Sequence, residues 1–317
     1  MSASAAPLQL QVARRERHTA QIVVLDLQAP DGAPLPAFEA GAHVDLHLAD
    51  GLVRQYSLCG DPADRSRYRL GVLLDPATRG GSQAVHRLLP GATVGVGAPR
   101  NLFPLAGDAA YSVLVGGGIG ITPMIAMAHA LQTAGRAFEL HYCTRAAEHT
   151  AFVGELRAAS FAHHVRLYHD QGGARFDLAS LPPPAPRTHV YVCGPNGFMD
   201  WVTAGATAAG HAPANVHREY FTAEVDTSGG GFEVELASTG QVLQVAPGQS
   251  IVSALQAIGV KIQVSCEEGV CGTCLTNVLS GVPNHRDVFL TDEEKAGNDQ
   301  MLLCCSRASS PRLVLDL

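Results

Sequence analysis

The sequence predicts three successive domains: an antiparallel β-barrel over residues 1–107, an α/β domain with a parallel sheet over 108–222, and an α+β domain over 232–317, preceded by a linker at 223–231. Three observations support this. Short alternating segments punctuated by Pro, Gly and Asp run through residues 11–105. Strand-like and helix-like segments then alternate. A Thr-Ser-Gly-Gly-Gly run, too flexible to build a core, precedes the last domain.

Within the barrel, the strand-like run Arg54-Gln-Tyr56-Ser57 combines residue types that could bind a flat, phosphorylated ligand. Period-two alternation puts Arg54 and Tyr56 on one face and Ser57 on the other. An arginine can hold a phosphate, an aromatic ring can stack on a flat ring, and a hydroxyl can hydrogen-bond a ring nitrogen. An ordinary edge strand is the alternative interpretation.

A second segment of the barrel, Arg79-Gly80-Gly81-Ser82, is a candidate anion-binding turn. Paired glycines expose backbone N–H groups, the serine adds a hydroxyl, and the arginine supplies a two-pronged donor. A helix expected to begin near Gln83 would add its dipole. The alternative is a simple glycine turn.

The second domain opens with a strand from Tyr111 that runs into a glycine-rich turn. Thr122 is predicted as the N-cap of the following helix and Pro123 as its first residue. Such a turn between strand and helix is suited to a pyrophosphate, although Ile121 occupies the place of the third glycine of the Rossmann fingerprint. The glycines are Gly116, Gly117, Gly118 and Gly120.

Further strands are predicted at 139–144, 164–168 and 189–193, with helical stretches near 150–159 and 196–210. The last of these strands ends in Cys193-Gly194-Pro195, at the carboxyl end of a strand, where ligands collect in parallel sheets. By burial statistics, Cys193 is expected to be an inert core thiol.

In the third domain, a hairpin over 232–237 and 241–245, a helix over 250–259 and a last strand at 313–317 surround a cysteine-rich loop. Cys266, Cys271 and Cys274 have the C-x4-C-x2-C spacing that holds a [2Fe–2S] cluster together with a distant fourth cysteine. Spacing alone leaves the fourth ligand open between the adjacent cysteines at 304 and 305.

Two other uses of these thiols fit the sequence less well. A structural zinc site usually draws on two separated C-x2-C pairs, and only one such pair is present. A disulfide set is disfavoured because the N-terminus does not resemble a secretory signal. Gly269 and Gly272 would allow the tight turns that a cluster-binding loop requires.

Composition narrows the function further. The 317 residues are 46% hydrophobic and 16% charged, as in a globular protein, and no apolar run is long enough for a membrane span. The net charge is −7, and residues 232–317 hold ten acidic against five basic side chains. This argues against a nucleic-acid partner. The acidic surface suits a basic protein partner, and the alternative is a surface that only keeps the domain soluble. The expected compartment is the cytoplasm. The first residues are expected to form a disordered N-terminal tail.

Taken together and in order, these motifs resemble the phthalate dioxygenase reductase family over nearly the whole chain. The resemblance implies an FMN-binding barrel of the ferredoxin-reductase type, an NAD domain and a plant-type ferredoxin domain of the β-grasp fold. It also selects Cys304 as the fourth ligand, because in this family the ligand stands two residues before the Ser-Arg-Ala found here at 306–308.

The resemblance assigns roles residue by residue. Arg54 and Ser57 would contact the flavin, Tyr56 would lie against its ring, and Phe221 would cover the far face. Thr122 would lie at the flavin–nicotinamide junction. The FMN phosphate would be held by Arg79, Gly80, Gly81 and Ser82. The nucleotide would be held by Gly116, Gly117, Gly118, Gly120, Cys193, Gly194 and Pro195.

The resemblance also implies the reaction. Electrons would pass from NADH through FMN and the cluster to a Rieske-type oxygenase acting on an aromatic or similar acid. Flavin belongs between the other two because it accepts a hydride and releases single electrons. Arg145 could accept a 2′-phosphate, but similar NADH-using members carry arginine there too, so NADH is expected rather than NADPH. The alternatives are an electron carrier without nicotinamide activity and a self-contained flavin monooxygenase or oxidase.

Overall fold

A computed structural model describes residues 6–75 and 80–317 of the protein. By their contacts, these residues divide into two compact units, with the boundary between Glu219 and Tyr220. The first unit holds both a barrel and a parallel sheet, and the second unit is the cysteine-bearing part. None of the helices in the described ranges combines the length and the apolar character that a membrane span requires.

The barrel of the first unit is a seven-stranded antiparallel sheet with strand order β4-β3-β6-β1-β2-β5, and β7 pairs with β3. A bridge between Leu58 and Leu70 joins the end of β4 to β5 and closes the barrel. Apolar side chains such as Val12, Leu25 and Leu46 fill its interior. The elements are β1 (Leu8–Arg17), β2 (Ile22–Gln28), β3 (Ala42–His47), β4 (Val53–Ser57), β5 (Tyr68–Leu73), α1 (Gly81–Arg87), β6 (Thr93–Val96) and β7 (Arg100–Asn101).

The rest of the first unit is a five-stranded, all-parallel sheet with strand order β10-β9-β8-β11-β12. The order reverses between β8 and β11, which makes their carboxyl ends the crevice where open α/β sheets bind ligands. Its elements are β8 (Tyr111–Gly117), α2 (Ile121–Thr133), β9 (Ala137–Thr144), α3 (Val153–Ala158), β10 (Val165–His169), β11 (Thr188–Cys193), α4 (Asn196–Ala208) and β12 (Val216–Glu219).

The second unit is a mixed sheet with strand order β14-β13-β19-β15-β17. Strand β13, the first of this unit along the chain, pairs in parallel with β19, the last. Val234, Leu255 and Leu313 are among the side chains of its core. The elements are β13 (Phe232–Leu236), β14 (Gln241–Val245), α5 (Ile251–Ala257), β15 (Leu275–Ser280), β16 (Pro283–Asn284), α6 (Asp292–Gly297), β17 (Gln300–Leu302), β18 (Arg307–Ala308) and β19 (Arg312–Leu315).

One expectation about a helix start was wrong. Helix α2 has Gly120 as its N-cap, not Thr122, because a 3₁₀ turn over Gly118–Gly120 runs directly into it. The Thr122 hydroxyl instead donates to the carbonyl of Ile119 at 3.0 Å. Helix α1 begins at Gly81, two residues before the predicted start. Its N-cap, Gly80, has φ +90°, a left-handed conformation that favours glycine.

Candidate functional site

Two motifs that are separate in the sequence meet in the barrel. The start of α1 lies against the side chain of Arg54 on β4, because a Cβ built on Gly81 would come within 2.5 Å of the Arg54 Cγ. The Ser82 hydroxyl accepts a hydrogen bond from the Asp75 N–H at 3.2 Å. A guanidinium, two glycines and a hydroxyl therefore share one region, which suits a phosphate. Arg79 lies outside the described residues.

Ser57, at the end of β4, meets a carboxyl group from the parallel sheet. Its hydroxyl donates to the Oε2 of Glu219 over 3.5 Å. Although Glu219 keeps some accessible surface, protein atoms enclose its carboxyl, and this burial raises its pKa to about 8 against the opposing hydrogen bond from Ser57. The pair can therefore hold a proton at neutral pH.

Tyr56 points to the opposite face of β4 from Ser57, as alternation predicts, and is half-buried. Burial raises the pKa of its phenol to about 12, so the ring stays neutral. Sequence reasoning missed Glu219. The only signal in the sequence was its position at the end of the strand-like run 216–219, directly before Tyr220.

The glycine-rich turn after β8 packs backbone to backbone against the end of β11. A Cβ on Gly120 would lie 2.3 Å from the carbonyl oxygen of Cys193, and one on Gly194 would lie 3.0 Å from the Cα of Gly117. A Cβ on Gly117 would strike the ring of Phe198 at 2.8 Å. Glycine is required at these positions because neighbouring atoms approach the backbone closely. The close packing brings the two predicted nucleotide-binding segments together at the crevice of the sheet.

Thr122 and Cys193 flank this crevice. Thr122 is buried, and its Cγ2 would lie 2.9 Å from a Cβ on Gly71 of β5, so it contacts the barrel. Cys193 is fully buried, and burial raises the pKa of its thiol well above the usual range. It is therefore a neutral thiol and not a nucleophile. Pro195 is the N-cap of α4.

Two predicted nucleotide or flavin contacts are exposed or partly exposed. Arg145 follows the last residue of β9 and is exposed, and its carbonyl accepts a hydrogen bond from Gln171 at 2.9 Å. Phe221 is partly exposed and belongs to the second unit, two residues beyond the end of β12.

In the second unit, four cysteine sulfurs converge. The Cys266 sulfur neighbours those of Cys271 and Cys304, and the Cys274 sulfur neighbours that of Cys304. All four residues are buried. The adjacent Cys305 instead lies against the cluster loop at Gly269, where a Cβ would be 2.5 Å from its sulfur.

The cysteine loop is shaped by two left-handed glycines, Gly269 at φ +75° and Gly272 at φ +71°. Gly272 is also covered by the ring of Phe289, which would lie 2.3 Å from a Cβ. Backbone N–H groups point at the sulfurs: Glu268 donates to Cys266 at 3.3 Å and Thr273 to Cys271 at 3.5 Å. Such donors stabilise negative charge on thiolate ligands.

The spread of the sulfurs suits two metal ions better than one. Within residues 6–75 and 80–317, the only three His, Cys, Asp or Glu side chains whose ligand atoms all lie within 4.8 Å of one another are Glu16, His18 and Glu155. Among the described residues, therefore, no three cysteine sulfurs all lie within 4.8 Å of one another. Four thiolates around one zinc ion, each about 2.3 Å from it, would be about 3.8 Å apart.

The group of Glu16, His18 and Glu155 already has a cation beside it. The Arg69 guanidinium lies 2.5 Å from Glu155, and His18 accepts the Phe152 N–H at its Nδ1 over 3.0 Å. A ring that accepts at Nδ1 carries a proton on Nε2, which faces the carboxylates of Glu16 and Glu155, so this nitrogen offers no lone pair to a metal.

The barrel, the parallel sheet and the cysteine-bearing unit define the class, a ferredoxin-reductase-type protein with an iron–sulfur domain. Residues 234–309 match the model of the 2Fe-2S iron-sulfur cluster binding domain. The chain is 52% identical over 302 residues to a vanillate O-demethylase oxidoreductase of Pseudomonas sp. (strain HR199 / DSM 7063), covering 93% of this chain and 95% of that protein.

Two further comparisons agree. The chain is 41% identical over 318 residues to the phthalate dioxygenase reductase of Burkholderia cepacia, covering 98% of this chain and 97% of that protein. A solved phthalate dioxygenase reductase, a modular structure for electron transfer from pyridine nucleotides to [2Fe–2S], superposes with a TM-score of 0.76 at 40% identity, covering 98% of each chain.

The chain therefore belongs to the phthalate dioxygenase reductase family. It is an oxidoreductase that carries electrons from a pyridine nucleotide through a flavin to a [2Fe–2S] cluster, as a reductase component that serves an oxygenase. The predicted family, the fold class and the reductase function are confirmed.

Proposed function

We propose that the protein is the NADH-dependent reductase of a Rieske-type aromatic oxygenase, with FMN as its flavin. The observation that carries this is the 52% identity to a vanillate O-demethylase oxidoreductase over 93% of the chain. An O-demethylation of a methoxylated aromatic acid, or a related oxygenation, is the reaction it would support. We place the protein in the cytoplasm, where thiols such as its eight cysteines stay reduced.

The proposed domains are those of the sequence: FMN at 1–107, NAD at 108–222, a linker at 223–231 and the ferredoxin at 232–317. Arg54, Gly80, Gly81 and Ser82 would hold the FMN phosphate, and Arg79 would join them. The contact between Arg54 and Gly81 supports this assignment. FMN is preferred to FAD because such a cradle suits a terminal phosphate.

Bound flavin supplies the conversion between a two-electron hydride and the single electrons that a [2Fe–2S] cluster accepts. Tyr56 would stack on the ring system, and Ser57 would hydrogen-bond a ring nitrogen. Glu219, protonated near neutral pH, would hold a proton beside Ser57. Phe221 would cover the other face of the ring.

The nucleotide would bind at the crevice between β8 and β11. Its pyrophosphate would lie on the N–H groups of Gly116, Gly117, Gly118 and Gly120. Thr122, Cys193, Gly194 and Pro195 would border the nicotinamide, and Arg145 would lie near the ribose. The tight packing of Gly120 against Cys193 supports this assignment, because only backbone atoms line the place that the nucleotide would approach. Cys266, Cys271, Cys274 and Cys304 would hold the cluster.

Anaerobic mixing with NADH tests the proposal. Flavin absorbance should bleach and the cluster should follow. A carrier without nicotinamide activity would not respond, and an oxidase or self-contained monooxygenase would form product without an added oxygenase. A purified vanillate-type Rieske oxygenase should turn over only when this protein and NADH are both present. Acid extraction should release FMN, and FAD in the extract would contradict that choice.

A further inference from the structure

A buried carboxylate lies beside the cysteine loop and belongs to none of the motifs described above. Asp287 is only 4% exposed. Its Oδ2 accepts the N–H of Leu290 at 2.8 Å, and its Oδ1 accepts the hydroxyl of Ser306 at 3.4 Å. The Nδ1 of His285, a partly buried residue, lies 3.8 Å from the same Oδ1.

Asp287 touches both parts of the chain that supply the cluster ligands. A Cβ on Gly269, in the loop between Cys266 and Cys271, would lie 3.1 Å from the Asp287 Cα, and the neighbouring Val288 N–H donates to the Gly269 carbonyl at 3.2 Å. Its partner Ser306 stands two residues after Cys304. One buried side chain therefore ties the cysteine loop to the segment of the fourth cysteine.

The cationic groups nearby leave the carboxylate only partly compensated. The Lys295 ammonium donates to the backbone carbonyl of Asp287 at 2.8 Å rather than to its carboxylate. The Arg286 guanidinium is directed to Asp226, 3.3 Å from the Oδ2 of that residue. Arg307 donates to the carbonyls of Gln249, Gly230 and Ala246.

We propose that Asp287 is a positioning residue that also sets the reduction potential of the [2Fe–2S] cluster. Taking up one electron adds negative charge to the cluster, and a fixed negative charge in a low-dielectric interior opposes that addition. The Ser306 hydroxyl moderates the effect because its dipole stabilises the carboxylate. The proposal rests on the cluster ligands assigned under the proposed function.

Two substitutions distinguish an effect of the Asp287 charge on the cluster from an effect on the structure around it. Asp287→Asn removes the charge and keeps an oxygen for the Leu290 N–H, so the cluster should become easier to reduce. We expect an upward shift of about 59 mV, a tenfold change in the one-electron equilibrium. Ser306→Ala keeps the charge and removes a donor, so its shift should be smaller and downward. Glu293→Gln, an equal charge change on the exposed helix α6, should leave the potential unchanged.

The measurement is a dithionite titration of the whole protein followed by the electron paramagnetic resonance of the reduced cluster. Opposite shifts in the two variants support the proposal. Shifts of the same sign, or an unshifted Asp287→Asn protein with its full cluster content, overturn it. If Asp287→Asn loses its cluster, the change in reduction potential of Ser306→Ala decides. A downward shift supports the proposal, and no shift or an upward shift overturns it.

The titration needs neither NADH nor an oxygenase, so it can be read whether or not the proposed physiological reaction holds. A protein that holds no [2Fe–2S] cluster would appear instead as a wild type without the cluster signal.

Discussion

The two units differ in the backbone conformation of the glycines around their sites. In the first unit, Gly117 and Gly120 have ordinary backbone conformations, but neighbouring atoms occupy the space that a Cβ would need. In the second unit, Gly269 and Gly272 are left-handed, and they turn a loop whose chemistry resides in cysteine side chains. The first site is thus formed largely by backbone, and the second by side-chain ligands.

The largest expected effect tests the side-chain half of this comparison. Cys304→Ser should abolish the cluster absorbance and electron delivery to a one-electron acceptor, because one of four thiolates is lost. Reduction of the flavin by NADH should persist, since it depends on the first unit. Visible absorbance and stopped-flow reduction measure both.

The matched control is Cys305→Ser, which should keep its cluster because Cys304, not Cys305, contacts two of the other ligand sulfurs. A cluster lost in the Cys305 variant and kept in the Cys304 variant would reverse the assignment.

The next effect tests the backbone half. Gly120→Ala places a Cβ 2.3 Å from a backbone carbonyl that no rotamer change can move. We expect a cost of about 3 kcal/mol and at least a tenfold rise in KM for NADH. Gly118→Ala in the same turn meets no atom within 4 Å and has only its φ of +56° to accommodate, about 1 kcal/mol. Equal effects of the two variants would show that conformation, not close approach, decides this loop.

A third, moderate effect concerns Glu219. Its folded pKa of about 8 lies above the ordinary 4.5, so the folded state keeps a proton that the unfolded state releases. This contribution to stability is complete below pH 4.5 and is lost as the pH rises to about 8. It falls by at most about 1.4 kcal/mol per pH unit.

Glu219→Gln should remove that loss, so the variant should gain stability relative to wild type between pH 5 and pH 8. Denaturation followed by the fluorescence of Trp201, the single tryptophan and part of the first unit, measures it. A stability difference that does not change with pH would contradict the raised pKa.

The smallest effect is expected at Arg145. Because this side chain is exposed, Arg145→Ala should change KM for NADH by less than about twofold, the small effect typical of surface substitutions. Residual use of NADPH should fall further, since a 2′-phosphate would lose a cationic partner. Arg157→Ala, also exposed in the same domain, is the control. A large rise in KM for NADH in the Arg145 variant alone would give this arginine a direct role with NADH.

Prediction from sequence was most complete where residue type itself carries the chemistry. The cysteine spacing indicated an iron–sulfur loop, and alternation and punctuation indicated the barrel, the parallel sheet and the hairpin of the last domain. Helix starts were less accurate, as at Thr122, because a 3₁₀ turn leading into a helix leaves no side-chain signature in the sequence.

The sequence by itself determined the class of each domain and the identity of the groups that could bind, because periodicity and ligand spacing are local properties of a chain. Only the tertiary structure decided that Arg54 covers Gly81, that Ser57 meets Glu219, and that the sulfur of Cys304 lies nearer the loop cysteines than that of Cys305. Each of these pairings joins residues distant along the chain or chooses between neighbours of identical type, and packing alone makes that choice.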